Sequence, residues 1–348
     1  MIPVKGYAAY DATTSLREFN FERRELRPHD VLVDILFSGV CHSDIHQARD
    51  EWGGSIYPMV PGHEITGKVI RVGEHVNKFK AKDTVGVGVM VDSCRQCKPC
   101  SIFMEQYCAD GMTGTYNNYE RDKITMAQGG YSTQIVCDER YVYSISENLD
   151  LAGAAPLLCA GITTYSPLMF ANVKKGDRVA VAGLGGLGHM AVKFAVAMGA
   201  EVTMLSTSAS KAQDAKKLGA HHFVLSTDRD AMKKHHSHFD VVVDTISADH
   251  NYDVFLKLLD LQGKLLVVGL PKTEPLVDPF ELIKNRRSII GSMIGGTAET
   301  QAMLDYCAEK NIVADVEVIP MQKINEAYER MLKNDVKYRF VIDMSSLK

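Results

Sequence analysis

Four of the eight cysteines of this chain lie in one short segment, CRQCKPCSIFMEQYC. The first three recur as C-x-x-C-x-x-C, and the last follows after seven intervening residues. Because four thiolates from one loop can surround a metal ion and leave no position open, this spacing favours a structural zinc site. A redox C-x-x-C motif and an iron-sulfur cluster are the alternatives, and the flanking sequence and the spacing disfavour both. The predicted ligands are Cys94, Cys97, Cys100 and Cys108.

Three further segments carry isolated metal-binding side chains. Cys41 lies in GVCHSDIH, which is expected to be a turn after a strand, while His63 and Glu64 lie in PGHEITG. Cys159 lies in the apolar segment PLLCAGITTYSP. Each of these residues taken alone is compatible with an ordinary structural role. Taken together, two cysteines and one histidine form the ligand set of a catalytic zinc, which keeps its remaining position for water or substrate.

A glycine-rich turn predicts a dinucleotide-binding site. The segment DRVAVAGLGGLGHMAVKFA places an apolar strand before the turn and an alanine-rich helix after it. Glycine makes the turn tight and lets the backbone approach a pyrophosphate at the helix N-terminus. A lone G-x-G-x-x-G pattern is weak, but this one has the strand-turn-helix context that the motif requires. The predicted binding residues are Gly183, Gly185, Gly186 and Gly188.

The end of the next predicted strand bears on which dinucleotide is bound. NAD sites usually carry an acidic residue there, which binds the ribose 2′-hydroxyl. This chain instead has small hydroxyl side chains and a lysine, which suit a 2′-phosphate. The pattern therefore favours NADP(H), bound by Ser206, Thr207, Ser208 and Lys211.

These motifs need a scaffold of two parts. Four further apolar runs follow the glycine turn at parallel-sheet spacing, so residues 151–291 are predicted to form a six-stranded Rossmann sheet. Residues 1–150 and 292–348, which carry the zinc ligands other than Cys159, are predicted to form a second, β-rich domain. The predicted fold class is therefore α/β, with a doubly wound parallel sheet.

Composition limits the possible partners. The chain has 348 residues, a net charge of -4 and 24% charged residues, which are ordinary globular values. These values give no reason to expect binding to nucleic acid or to an anionic membrane. No secretory signal precedes the motifs, and no run approaches the roughly 20 apolar residues of a membrane span. We therefore expect a cytoplasmic protein, in which clustered cysteines bind metal rather than form disulfides.

In combination, the motifs resemble the zinc-dependent alcohol dehydrogenases of the medium-chain dehydrogenase/reductase superfamily. Within it they are most similar to the branch of cinnamyl alcohol dehydrogenases and broad-specificity bacterial aldehyde reductases. The resemblance covers nearly the whole chain and also rests on GTYNN, QGGYS and the closing NDVKYRFVIDM. It implies a GroES-like fold for the β-rich domain, a homodimer, and one catalytic and one structural zinc per chain. It further implies reversible NADPH-linked reduction of small aromatic and aliphatic aldehydes.

The resemblance also implies roles around the catalytic zinc. Cys41, His63 and Cys159 would be its ligands, and Glu64 would be a neighbouring carboxylate that can approach the metal. Asp44 would bond the ligand histidine, which fixes the orientation and tautomer of its ring.

Further roles concern the substrate and the cofactor. Ser43 would hydrogen-bond the substrate oxygen, and His46 would stand at the solvent end of a proton relay through the cofactor ribose. His42 would face the pyrophosphate, and Thr163 would pack near the nicotinamide.

Two other functions stay open. An NAD-dependent polyol dehydrogenase is disfavoured by the missing strand-end acid, and a non-catalytic NADPH-binding protein by the complete set of ligands and relay residues.

The sequence leaves the places of several other residues open. Trp52 is compatible with the core or with a substrate pocket, and Arg339 with a place near the cofactor or on the surface. The histidines of KKHHSH, His235, His236 and His238, are interpreted as a solvated face.

Overall fold

The computed structural model describes residues 1–347, which form two compact units. The first unit comprises Met1–Ile162 and Gly295–Lys348, and the second comprises Thr163–Ile294. The strands are β1 (Ile2–Ala8), β2 (Arg17–Arg23), β3 (Asp30–Val40), β4 (Ile65–Val72), β5 (Thr84–Val87), β6 (Met90–Asp92), β7 (Thr113–Gly114), β8 (Asn118–Tyr119), β9 (Met126–Ala127), β10 (Gln134–Asp138), β11 (Val142–Ser144), β12 (Arg178–Ala182), β13 (Glu201–Ser206), β14 (His222–Leu225), β15 (Phe239–Asp244), β16 (Leu259–Val267), β17 (Ser288–Gly291), β18 (Val316–Pro320) and β19 (Arg339–Asp343).

The helices are mostly short. They are α1 (His42–Ala48), α2 (Lys98–Ser101), α3 (Leu151–Ala154), α4 (Ala160–Phe170), α5 (Gly188–Ala197), α6 (Ala212–Lys217), α7 (Arg229–Lys233), α8 (Tyr252–Leu256), α9 (Pro279–Ile283), α10 (Thr297–Lys310) and α11 (Ile324–Leu332). Single 3₁₀ turns lie at Glu105–Tyr107, Glu139–Tyr141, Ala155–Leu158, Ala209–Lys211, Met321–Lys323 and Met344–Leu347.

The first unit is built on a sheet with the order β11-β5-β4-β3-β19-β18, and β10 also pairs with β3. The central strand β3 is antiparallel to β4, β10 and β19, and its side chains Val31, Val33 and Ile35 are fully buried in the core. Because β3 ends at Val40, close to where β4 and β19 begin, the residues that flank these strand ends meet at one edge of the sheet. This edge carries the candidate catalytic site.

The second unit contains a parallel sheet with the order β14-β13-β12-β15-β16-β17. The sequences RVAVA of β12 and FDVVVD of β15 are almost continuously apolar, as expected for strands that are covered on both faces. The six parallel strands predicted from the sequence are confirmed, and so is the α/β fold class. The strand order reverses direction between β12 and β15, which is where doubly wound sheets bind ligands.

Two local features bear on earlier expectations. The segment expected to be a turn after Cys41 is instead the helix α1, for which Cys41 is the N-cap residue. No single helix among residues 1–347 has the length and apolarity needed to cross a membrane, although the bent pair Leu151–Leu158 and Ala160–Phe170 meets both conditions when taken together.

Candidate active site

The structure brings four buried donor side chains together at the edge of the first sheet. The ligand atoms of Cys41, His63, Glu64 and Cys159 all lie within 4.8 Å of one another. The two sulfur atoms are 4.0 Å apart. Two thiols, an imidazole and a carboxylate in one buried group have the chemistry of a zinc site, because zinc prefers sulfur and nitrogen ligands and also accepts carboxylate oxygen.

Strand pairing explains how distant residues reach this group. Cys41 directly follows β3, and Glu64 directly precedes β4, with Ser38 of β3 opposite Ile65 of β4. The backbone N–H of Gly39 donates to the carbonyl of Glu64 at 2.8 Å, which fixes the two segments side by side. A side chain at Gly39 would overlap the Glu64 carboxylate, so glycine is needed at this close approach.

Asp44 is the centre of the hydrogen bonds that support the group, and it is fully buried. Its Oδ1 atom accepts from His63 Nδ1 at 3.0 Å and from the Gly62 N–H at 3.1 Å. Its Oδ2 atom accepts from the Cys41 N–H at 2.9 Å and from the Tyr131 hydroxyl at 3.1 Å. Since Nδ1 of His63 donates to Asp44, its Nε2 is left as the metal-binding nitrogen.

Arg339 forms a buried ion pair with Glu64. It reaches this position because β19 is antiparallel to β3, with Phe340 opposite Val40. Burial raises the pKa of Glu64 to about 7, although the positive charge of Arg339 acts in the opposite direction. Among the described residues, Oε2 of Glu64 has no hydrogen-bond partner, as expected for an oxygen that faces a cation site.

The two thiols of the group differ in acidity. The hydrogen bond with Cys159 lowers the pKa of Cys41 well below its ordinary value, against the effect of burial and with the help of the charge on Arg339. The same bond, together with burial, raises the pKa of Cys159. The pair therefore favours a thiolate at Cys41, and the thiolate is the form of cysteine that binds metal.

Both predicted relay residues, Ser43 and His46, lie on α1. The Ser43 hydroxyl is 3.6 Å from the Cys41 sulfur, so it borders the metal-binding group. His46 pairs through Nδ1 with a carboxylate oxygen of Glu51 at 2.7 Å, and its ring centre lies 5.0 Å from that of Trp52. Trp52 is 50% exposed, which makes the core interpretation of this residue wrong.

The second cysteine group lies in the first unit and comes entirely from the predicted loop. The sulfur atoms of Cys94, Cys97, Cys100 and Cys108 lie within 4.8 Å of one another. The N–H groups of Cys94 and Cys97 donate to the sulfurs of Cys108 and Cys94 at 3.3 and 3.4 Å, and that of Ala109 donates to Cys97 at 3.4 Å. The bond from Ala109, followed by that from the backbone of Cys100, lowers the pKa of Cys97 to about 6. Four thiols, some of them already bonded by N–H donors, fit a structural zinc.

The glycine turn joins β12 to α5 in the second unit. Gly183 has a φ of +92°, a backbone conformation that residues other than glycine rarely adopt. A Cβ at Gly188 would overlap the carbonyl of Gly183, whereas a Cβ at Gly185 would meet no atom within 4 Å. The first glycine therefore permits the turn, the last permits close packing, and Gly185 leaves open space at the surface, as a pyrophosphate site requires.

The predicted 2′-phosphate residues begin at Ser206, the last residue of β13, and continue after it. Because β13 is parallel to β12, they lie at the same edge of the sheet as the glycine turn. The Ser208 N–H donates to Ser206 Oγ at 3.2 Å, and the hydroxyls of Ser208 and Ser210 are 2.8 Å apart. Thr207 is exposed, and Lys211 ends the 3₁₀ turn that follows. Hydroxyls and one amine thus replace the usual carboxylate at this position.

The positions of the remaining predicted residues bear less directly on cofactor or metal binding. His42 is exposed at the start of α1, and Thr163 is buried in α4, so their contacts with a cofactor stay predictions. His235 and His238 have ring centres 5.4 Å apart, but no metal-binding group among residues 1–347 includes either of them.

Sequence reasoning finds Asp44 through the resemblance but misses two other residues that support the site. Arg339 is compatible from sequence with a place near the cofactor or on the surface, whereas its pairing with Glu64 depends on the register of β19, which no local pattern encodes. Tyr131 lies in the motif QGGYS, which by itself indicates no role for it, although it is fully buried and bonds Asp44.

Comparisons with known proteins agree with these features. Residues 27–147 match the alcohol dehydrogenase GroES-like domain, and residues 186–309 match the zinc-binding dehydrogenase domain. The chain is 52% identical to NADP-dependent alcohol dehydrogenase C 1 of Mycolicibacterium smegmatis over 100% of both chains, and 52% identical to aldehyde reductase YahK of Escherichia coli over 99% of both. The crystal structure of a cinnamyl alcohol dehydrogenase from Helicobacter pylori complexed with NADP(H) is 44% identical, covers 99% of both chains and has a TM-score of 0.92.

Proposed function

The chain belongs to the zinc-dependent medium-chain alcohol dehydrogenases, in the branch of cinnamyl alcohol dehydrogenases and aldehyde reductases, and from this premise we propose how its residues act. The protein is an NADP-dependent enzyme that reduces aldehydes to alcohols and oxidises alcohols in the reverse direction. The observation that carries the assignment is the buried group of two thiols, an imidazole and a carboxylate in a chain that also has the dinucleotide turn. We assign the zinc chemistry to residues 1–150 and 292–348 together with Cys159, and the cofactor to residues 151–291.

The proposed zinc ligands are Cys41, His63 and Cys159, with Glu64 as the exchangeable carboxylate. Zinc bound there would act as a Lewis acid that polarises the substrate carbonyl. Asp44 holds the His63 ring in the orientation that presents Nε2, because Nδ1 is committed to the carboxylate. Arg339 keeps Glu64 paired while its other oxygen stays available.

Proton transfer is assigned to Ser43 and His46. A hydroxyl both donates and accepts a hydrogen bond, so Ser43 can hold the substrate oxygen and pass a proton to it. His46 is suited to pass a proton to solvent because an imidazole ring has two nitrogen atoms that can each donate or accept a hydrogen bond. Glu51 holds Nδ1 of His46 at 2.7 Å, which leaves Nε2 for the relay.

The cofactor supplies the hydride, and the protein supplies its orientation. We assign the pyrophosphate to the turn of Gly183, Gly185, Gly186 and Gly188, with His42 facing it, and we assign Thr163 to the nicotinamide. The 2′-phosphate is assigned to Ser206, Thr207, Ser208 and Lys211, since hydroxyls and a cation suit a dianion.

The 2′-phosphate assignment predicts a selective defect in Lys211→Ala. The KM for NADPH should rise about tenfold through the loss of one charge-assisted contact, while the KM for NADH changes little. Steady-state kinetics with both cofactors measure this, and Lys217→Ala, on an exposed lysine of α6, is the matched control. Equal losses with NADPH and NADH would place the 2′-phosphate elsewhere.

The overall function is tested by initial rates on a panel of aromatic and aliphatic aldehydes. We expect NADPH-dependent reduction of several members and much slower reduction with NADH. Tight NADPH binding without turnover of any aldehyde would favour a non-catalytic role instead.

We also propose a homodimer in the cytoplasm. Within the described sheet, β17 is an edge strand that pairs only with β16, and the nearby side chains Leu276, Phe280 and Ile283 are exposed. An unpaired edge beside apolar side chains is a surface that a second copy could cover. Sedimentation equilibrium should give twice the chain mass of 38.5 kDa, and a monomer would contradict the proposal.

The cytoplasmic location is proposed from the cysteines. They are free thiols, which suit a reducing compartment.

A further inference from the structure

A buried aspartate ends β15 at the point where the parallel sheet reverses its strand order. Asp244 is the last residue of β15 and lies opposite Ala182, the last residue of β12. The carboxyl ends of these two neighbouring strands border the crevice in which doubly wound sheets bind their ligands. The glycine turn directly follows Ala182, so Asp244 lies beside it at the same edge.

Asp244 holds together the two loops that leave this edge. Its Oδ1 atom accepts from the Ile246 N–H at 3.1 Å, and its Oδ2 atom accepts from His250 Nε2 at 2.9 Å. Its backbone carbonyl accepts from the N–H groups of Val268 and Gly269, each at 3.0 Å. The carboxylate therefore fixes the loop after β15, and the carbonyl fixes the chain after β16.

His250 completes the arrangement around Asp244. Its Nδ1 atom lies 2.8 Å from the carbonyl of Ala248, so both ring nitrogens lie within hydrogen-bond distance of oxygen atoms. The ring also packs against Tyr252 and Phe255 of α8, with centre distances of 5.2 and 5.5 Å. These contacts fix His250 more firmly than a surface histidine.

Between these two residues and the glycine turn lies Thr245. Its hydroxyl donates to the carbonyl of Ala182 at 2.8 Å and lies 3.2 Å from that of Gly183. A Cβ added at Gly183 or Gly188 would lie 2.9 or 3.2 Å from the same hydroxyl oxygen. Thr245 thus fills the space directly against the turn, and it is the next residue in the chain after Asp244.

We propose that His250 is a positioning residue for the cofactor, and that it acts through Asp244 to hold Thr245 against the glycine turn. The inference rests on the proposed function only in taking NADP(H) as the ligand of that turn. The expected effect is confined to the cofactor. A displaced turn weakens the binding of the dinucleotide but removes no group from the metal site in the first unit.

The test compares three substitutions by fluorescence titration with NADPH. His250→Leu removes both polar contacts of the ring, and we expect the Kd for NADPH to rise about tenfold, which corresponds to the loss of about one buried hydrogen bond. His250→Gln keeps an N–H donor and should recover part of this loss. The control is His222→Gln, which removes an exposed histidine-carboxylate pair at the start of β14. This residue lies at the amino ends of the strands, opposite the edge that carries Asp244, so the Kd for NADPH should stay unchanged.

Kinetics separate positioning from a general loss of structure. At saturating NADPH, His250→Leu should keep the wild-type kcat and the wild-type KM for the aldehyde. A parallel fall in kcat and in both affinities would overturn the proposal, as would an unchanged Kd for NADPH.

A double-mutant cycle tests the route through Thr245. If His250 acts through Thr245, the effect of His250→Leu should be much smaller when Thr245→Val is already present. Additive losses would contradict this route, and His250→Gln takes the place of His250→Leu in the cycle should the latter not fold. Wild-type protein that fails to bind NADPH would contradict the proposed function, whereas normal wild-type binding with unaffected variants contradicts this inference alone.

Discussion

The two cysteine-containing groups of the first unit have different surroundings. The group of Cys94 to Cys108 comes from one loop, and backbone N–H groups bond several of its sulfur atoms. The group of Cys41, His63, Glu64 and Cys159 comes from segments far apart in the sequence, and side chains of further residues support it.

This difference separates a closed site from an adjustable one. Four thiolates around an ion fill the tetrahedral positions of zinc, so the loop group can only stabilise. In the second group the fourth donor is a carboxylate whose pKa is raised to about 7 by burial, and Arg339 offers it an alternative partner to the metal. We propose that this carboxylate exchanges between Arg339 and the metal, which would leave a zinc position for a substrate oxygen.

The largest effect should follow removal of a ligand from the adjustable group. Cys159→Ser should reduce kcat/KM for aldehydes by about a thousandfold or more, because Lewis-acid stabilisation of developing charge contributes several kcal/mol. Initial rates with NADPH measure the loss, and an unchanged far-UV circular dichroism spectrum shows that the fold is kept. Full activity in this variant would remove Cys159 from the ligand set.

Removing a ligand from the closed group should affect stability more than chemistry. Cys97→Ser should lower the melting temperature by at least about 5 °C, because a structural zinc contributes folding free energy directly. Differential scanning calorimetry measures the shift. Cys307→Ser, a substitution at a buried thiol outside both groups, is the control that should keep full zinc content. An unchanged melting temperature for Cys97→Ser would argue against a structural metal.

A smaller effect should follow loss of a supporting carboxylate. Asp44→Asn replaces an acceptor that serves His63, Cys41, Gly62 and Tyr131, and we expect zinc affinity to fall about 10- to 100-fold. Competition with a chelator measures the affinity. The closed group should keep its zinc in this variant, and loss from both groups at similar chelator concentrations would mean that the substitution acts on the whole unit.

The comparison also explains what the sequence could predict. The closed group has all its ligands within one loop, so spacing alone identified a zinc-like set. For the other group, the residue types suggest a catalytic zinc set, but the sequence alone does not show that these residues meet, because their meeting depends on the pairing of β3, β4 and β19. The parallel sheet was predictable because strands such as β12 and β15 are continuously apolar.

Other features had no usable sequence signal. The helix α1 has only seven residues, or about two turns, so its sequence shows no clear helical period and favours a turn. Arg339, Tyr131 and His250 act through buried partners that lie far away in sequence or beyond a loop, and such contacts follow from packing rather than from periodicity.

The central claim is that the two groups bind zinc for different purposes, and the most direct test is the zinc content per chain of three proteins. Mass spectrometry of the metal should find two zinc ions in the wild type and one in each of Cys159→Ser and Cys97→Ser, in line with the two groups. Of the two variants, only Cys97→Ser should retain NADPH-dependent aldehyde reduction while it stays folded. A single zinc in the wild type, or an active Cys159→Ser variant with both ions, would contradict the account.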